Sequence, residues 1–312
     1  MSDPAAVSAS PLPLAARIDG WRRRWGVLPT LAAALLLCAV VGALFAPWLA
    51  PQDPSELASL NLMDARRPPA WMADGLAAYP LGSDDQGRDL LSAVLFGLQV
   101  SLAVAVTAVL LSLLVGIAVG LWAGWAGGVV DAVLMRLCDV ALSFPSLLVA
   151  LLVDGVARAL WPEAPTALAL AVLVLAIALT GWVPYARTVR AATRIERGKD
   201  YVSAARLLGL RPVRLLRRHV LPNVLQPVLV LGTLQVGSAI VLEATLSFLG
   251  VGVPPTAPSL GTLIRNGNDF LFSGEWWIFA VPGAALLLVA VSINLIGDAL
   301  RDAFDPRLGR AP

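Results

Sequence analysis

The sequence predicts an all-α membrane protein with six transmembrane helices and both termini in the cytoplasm. Three observations carry this reading. The 312 residues are 58% hydrophobic and only 14% charged, outside the range of soluble globular chains. The apolar residues gather into six runs, most of them close to the ~20 residues needed to cross a hydrocarbon core of about 30 Å at about 1.5 Å per residue. The basic residues are divided very unequally among the segments that join these runs.

Residues 1–26, ending on Arg22, Arg23 and Arg24 before the first run, read as a cytoplasmic tail. The first span covers 27–46. It is longer than the apolar core of a signal peptide, and no clear small-x-small cleavage site follows it. Residues 47–97 are polar, rich in Pro and Asp and too long for a turn, so they form an external segment. Within it, Gly82 and Gly87 permit tight turns, and Asp89 caps a helix beginning at Leu90. Residues 98–299 hold spans two to six: Leu98 to Trp122, Val133 to Val153, Thr166 to Val183, Val224 to about Leu246, and a last one that starts at the interfacial pair Trp276-Trp277 and ends near Ile296. Residues 300–312 are a second cytoplasmic tail.

Three features inside the spans bear on function. Gly116, Gly120 and Gly124 recur every four residues, a stripe that lets another helix backbone approach closely. Arg136 and Asp139 stand three apart, so they can pair on one helix face near the cytoplasmic end. Glu243, in the last turns of the fifth span, is a candidate for either the transport path or helix packing, as is Asp139.

Orientation follows from the charges. With both ends inside, the cytoplasmic segments carry eighteen basic residues, ten of them between Arg187 and Arg218. The outer segments carry five: Arg66, Arg67, Arg88, Arg158 and Arg265. That asymmetry is the positive-inside pattern.

The densest cationic stretch, Asp200 to Asn223, lies within a loop spanning 186–222. Asp200 can act as the N-cap of a short helix in which Tyr201, Ala204, Ala205 and Leu208 fall at i, i+3, i+4 and i+7. Gly209 suits a left-handed C-cap, and Pro212 the first turn of a second short helix. Pro222 opens the next span. Two small helices at an angle make a rigid knob at the membrane surface.

The order Ala204-Ala205-x-x-x-Gly209 followed by Leu221-Pro222 resembles the cytoplasmic "EAA" coupling loop of ABC importer permeases. The continuation His219-Val220-Leu221-Pro222-Asn223 narrows the resemblance to the peptide/nickel branch. Gly82-Ser83-Asp84 through Gly87-Arg88-Asp89 is similar to the external signature of that branch, and the stretches from Leu134 to Pro145, from Leu246 to Gly252 and from Leu300 to Arg307 are family-like. One departure is that Ser203 replaces the motif's glutamate.

The resemblance implies a type I importer permease in the cytoplasmic membrane of a bacterium. It implies a second homologous permease subunit, two ATP-binding cassette ATPases that carry the ATP and Mg²⁺, and an external solute-binding protein. ATPase coupling would fall to Tyr201, Ala204, Ala205, Leu208, Gly209, Leu221 and Pro222. Substrates of the branch include dipeptides, longer peptides, nickel chelates and glutathione.

The residues exclude several other functions. The single lysine, Lys199, is followed by Asp200 and has Thr193 where the motif's first glycine should stand, so the chain has no P-loop. One histidine, His219, and two cysteines in apolar runs, Cys38 and Cys138, leave no expected metal site, disulfide or catalytic relay. No catalytic residue, cofactor of its own or nucleic-acid partner is expected beside the lipid bilayer. An ATP-independent secondary transporter or channel is the alternative, but it usually relies on buried ionisable groups at the midplane, and away from their extreme ends the spans offer only Asp139 and Glu243. A membrane scaffold is a third reading.

Overall fold

The computed structural model describes residues 26–304 except Ser55 and residues 57–60 and 254–256. The N-terminal tail with Arg22 to Arg24, the end Asp305-Pro306-Arg307, and Pro254 and Pro255 therefore lie outside the described residues.

Helix α1, Val27–Leu44, is apolar on every side, as a span surrounded by lipid or other helices must be. It bends at Phe45 into the four-residue helix α2, Ala46–Leu49. Helix α3, Leu90–Ala126, has 37 residues, about 55 Å at the standard rise, so it extends well beyond the hydrocarbon layer unless strongly tilted. Residues 90–97 are thus helical and continuous with the second span. Gly127 and Gly128, at φ +68° and +55°, turn the chain into α4, Gly128–Ser143.

The third apolar run does not form one straight span. Helix α4 and helix α5, Ser146–Leu160, meet at an angle of 86° across Phe144-Pro145. Proline disfavours helical geometry in the residue before it and has no N–H to continue the ladder. The run from Val133 to Val153 is therefore split, and α4 lies against the cytoplasmic part of α6, Thr166–Arg197. Helix α6 passes Val183 without stopping, through Pro184.

The knob consists of α7, Asp200–Leu207, α8, Pro212–Leu215, and a π-helical turn, Leu216–Val220, that runs directly into α9, Leu221–Phe248. Between the fifth and sixth spans the expected loop contains a further helix, α10, Leu260–Asn268, opened by a reciprocal cap between Ser259 and Thr262. Helix α11, Trp277–Phe304, closes the bundle. Among the described residues, five helices, and α4–α5 as a bent sixth, are long and apolar enough to cross a membrane.

The bundle is centred on the pair α3 and α6, its most extensive contact. A Cβ on Gly116 would stand 2.4 Å from the Tyr185 Cβ, one on Gly120 2.5 Å from the Ala186 carbonyl oxygen, and one on Gly124 2.7 Å from the Thr193 Cβ. The glycine stripe thus faces a helix of this same chain. One hydrophobic cluster runs from Ala108 and Ile177 inside the bundle to Val202, Ala205, Leu215 and Val220 of the knob, so the knob is packed onto the spans.

Candidate functional site

The knob is held by a polar clasp. The Tyr201 hydroxyl donates to Glu196 Oε2 at 2.6 Å, and the Lys199 ammonium donates to the other carboxylate oxygen. Asn223, at the start of α9, donates to the His219 carbonyl at 2.9 Å and reaches the Tyr201 hydroxyl at 3.5 Å. The Tyr201 and His219 rings lie 6.5 Å apart. Burial, and then the bond to Glu196, push the Tyr201 phenol above its ordinary pKa, which keeps it a donor.

The packed face of α7 differs from the expected stripe. Val202 and Ala205 are buried, whereas Tyr201 and Ala204 are exposed and Leu208 is 82% exposed, one residue beyond the end of the helix. The spacing i to i+7 requires a helix continuing through Leu208. Here the turn at Gly209, φ +77°, comes first, with Leu210 N–H donating to the Ala205 carbonyl at 3.2 Å as in a Schellman cap. Asp200 is the first helical residue and not the cap, since the Lys199 carbonyl already accepts from Val202 N–H. This leaves Leu207, Leu208 and Val213 pointing outward, and Val213 lines a concavity together with Arg211, Arg214, Arg217 and Arg218. Leu221 is half-buried and Pro222 exposed at the base of α9.

On the other side, residues 82–89 form a buried knot. Asp84 Oδ1 accepts from Gln86 N–H at 2.9 Å and Arg88 N–H at 2.8 Å, while Arg88 Nε lies 3.7 Å from Asp84 Oδ2. Asp89 Oδ2 accepts from Ser92 N–H at 2.8 Å and so caps α3, and Gln52 Oε1 accepts from Asp89 N–H. Gly82 and Gly87 take φ +89° and +76°. Added Cβ atoms would stand 2.8 Å from the Trp277 ring and 2.2 Å from the Asn61 carbonyl oxygen. The Trp277 indole donates to the Ser83 carbonyl, tying the knot to α11.

Within the bundle, Asp139 accepts from Arg187 at 2.7 Å, so its partner is a residue of α6 and not Arg136. Asp131, which no spacing in the sequence singles out, accepts from Arg190 Nε and Nη2, with Arg194 Nη1 3.7 Å away. These pairs lock α4 to α6. Glu243 is fully buried; Ser247 donates to it at 2.8 Å, and the hydroxyls of Ser101 and Ser259 surround the same carboxyl. It therefore sits where α3, α9 and the start of α10 meet.

A six-span helical bundle with a rigid cytoplasmic knob and a folded outer signature defines a membrane subunit of a transport complex. Residues 116–310 match the family described as binding-protein-dependent transport system inner membrane component, and the chain belongs to that family. It is 41% identical over 99% of its length to the di/tripeptide transport system permease protein DppC of Pseudomonas aeruginosa, 97% of which is covered. It is 38% identical to the dipeptide transport system permease protein DppC of Escherichia coli K12, over 97% of each chain. The fold resembles that of a chain in an inward-facing structure of the MetNI methionine ABC transporter, with a TM-score of 0.52 at 16% identity, covering 68% of this chain and 95% of that one.

Proposed function

We propose that the chain is one of two permease subunits of an ATP-driven importer that moves di- and oligopeptides across the bacterial inner membrane. The carrying observation is near full-length likeness to two peptide permeases together with a knob packed into the span core. The chain has no P-loop, so work must reach it mechanically. ATPase closure draws the knobs of the two permeases together, and the cluster joining Val202 and Leu215 to the spans transmits that displacement. Leu207, Leu208 and Val213 supply apolar anchors for docking, while the neighbouring arginines give rim charge. An external binding protein delivers the peptide to the outer face.

The test is purification of this chain from its native membrane in mild detergent, identification of its companions, and measurement of ATP-dependent dipeptide uptake after reconstitution. A second permease and P-loop ATPases that support uptake are the expected result. A lone chain that transports without ATP would overturn the proposal in favour of a secondary transporter.

A further inference from the structure

Between α3, α5, α6 and α9 lies a cavity of about 160 Å³, far larger than one water requires. It sits near the middle of α6 and α9. Its polar lining is Ser112, Ser146, Thr180, Tyr185, Gln235 and Ser238; every other lining residue is aliphatic or glycine, and none is charged. Six hydrogen-bonding side chains around one hollow at membrane depth are costly unless something polar uses them.

Their bonding shows what is left over. Thr180 donates to the Ile177 carbonyl at 3.0 Å, Ser112 to that of Ala178 at 3.3 Å and Ser238 to that of Leu234 at 3.4 Å, so these three oxygens remain as acceptors. Pro184 cannot donate the helical bond to the Thr180 carbonyl four residues back. The Tyr185 hydroxyl is fully buried and has no hydrogen-bond partner. Gly116 admits Tyr185 to this position, since any side chain there would collide with the Tyr185 Cβ. Ser146 opens α5 just after the 86° break, and irregular backbone at this depth is tolerated where it is buried in protein or lines a water-filled cavity.

Resting on the peptide-importer reading above, we propose that this cavity is the station in the path where the backbone amides of the passing peptide are held by neutral groups. The serine and threonine oxygens accept from peptide N–H, and Tyr185 and Gln235 donate to peptide C=O. All peptides share these groups, and an uncharged lining does not trap charged side chains. Selection among sequences is then left to other parts of the complex.

The experiment uses the complete importer in proteoliposomes. The photoreactive dipeptide glycyl-p-benzoylphenylalanine, first shown to be taken up, is irradiated during turnover and its label mapped. Label in residues 109–112, 177–185 or 235–242, displaced by excess dialanine, is the expected result. Tyr185→Phe removes one oxygen and leaves the ring in place, and dialanine uptake by the correctly assembled variant should fall about fivefold, the change carried by one hydrogen bond. Active wild-type uptake with label only elsewhere and undiminished uptake in Tyr185→Phe would overturn the site while leaving the importer reading intact. A wild-type complex that hydrolyses ATP but takes up no peptide would remove both.

Discussion

The Tyr201 hydroxyl donates to Glu196 Oε2 at 2.6 Å, joining the first turn of the knob to the last turn of α6. Because that bond fixes the angle at which α7 leaves the span, Tyr201→Phe should let the knob move without its helix. Uptake per ATP hydrolysed should fall about threefold, less than a fully buried charged hydrogen bond would give, because the clasp is partly open to solvent. The raised Tyr201 pKa sets the pH dependence: the contact is complete below the ordinary phenol value of 10.0 and is lost only as pH rises through the raised one. The wild-type coupling ratio should show no change from this group between about pH 6 and 9. Parallel measurement of uptake and phosphate release checks both statements.

Gly209 separates backbone strain from steric collision. Its φ is +77°, yet a Cβ there would meet nothing within 4 Å. Gly209→Val should therefore cost about 1–3 kcal/mol through backbone conformation alone, while Gly209→Asn, which tolerates the left-handed region, should stay near wild type. We expect Val to lower uptake per ATP without reducing membrane insertion, and Asn to preserve it. Equal coupling in both variants would show that the knob does not need this turn.

Much of this architecture is local and therefore legible in the sequence. Hydropathy marks the spans, Asp89 stands one residue before an apolar helix, and Gly209 and Pro212 bracket the turn of the knob. What the sequence hides is pairwise and distant. Asp139 has Arg136 one helical turn away, but it pairs with Arg187, 48 residues on, because the 86° break turns α4 along α6. Asp131 and Arg190 are 59 apart, and no spacing rule links them. The inward face of α7 is Val202 and Ala205 because two contacts that helical spacing does not encode, the Schellman turn at Gly209 and the bond from Tyr201 to Glu196, fix how the helix sits. Helix α10 is short and rich in Gly and Asn, so only Ser259 three residues before Thr262 could have marked its start.

The glycine stripe gives a packing test with an internal control. At Gly120 a Cβ would lie 2.5 Å from the Ala186 carbonyl oxygen, and backbone cannot move aside as a flexible side chain can. Gly120→Ala should separate α3 from α6 and cost about 1–3 kcal/mol through overpacking, lowering the Tm of the detergent-solubilised complex. Gly155, in α5, has open space at the Cβ position and no positive φ, so Gly155→Ala should not lower the Tm and should raise it slightly through helix propensity. A comparable fall in both variants would mean that the close α3–α6 approach does not set the response, since helix propensity alone favours Ala over Gly.

At Asp84 burial and bonding oppose each other. Burial raises its pKa above 3.8, and the Arg88 and Gln86 N–H bonds with the Arg88 charge only partly offset that. A carboxyl with a raised folded pKa binds its proton more tightly in the folded protein than in the unfolded chain. Its stabilising contribution is thus complete below the ordinary value and is lost as pH rises through the raised one. At neutral pH the ionised Asp84 is a burden on the outer knot. Asp84→Asn keeps an oxygen for the two backbone donors, removes the charge, and gives up an ion pair already stretched to 3.7 Å. Hydrogen exchange across residues 82–89 should therefore slow in the variant at about pH 7, and the difference should vanish as pH is lowered toward the wild-type pKa. Faster exchange in Asp84→Asn at neutral pH would mean that the Arg88 pair outweighs the penalty of burial, and that the charge at this position holds the signature together.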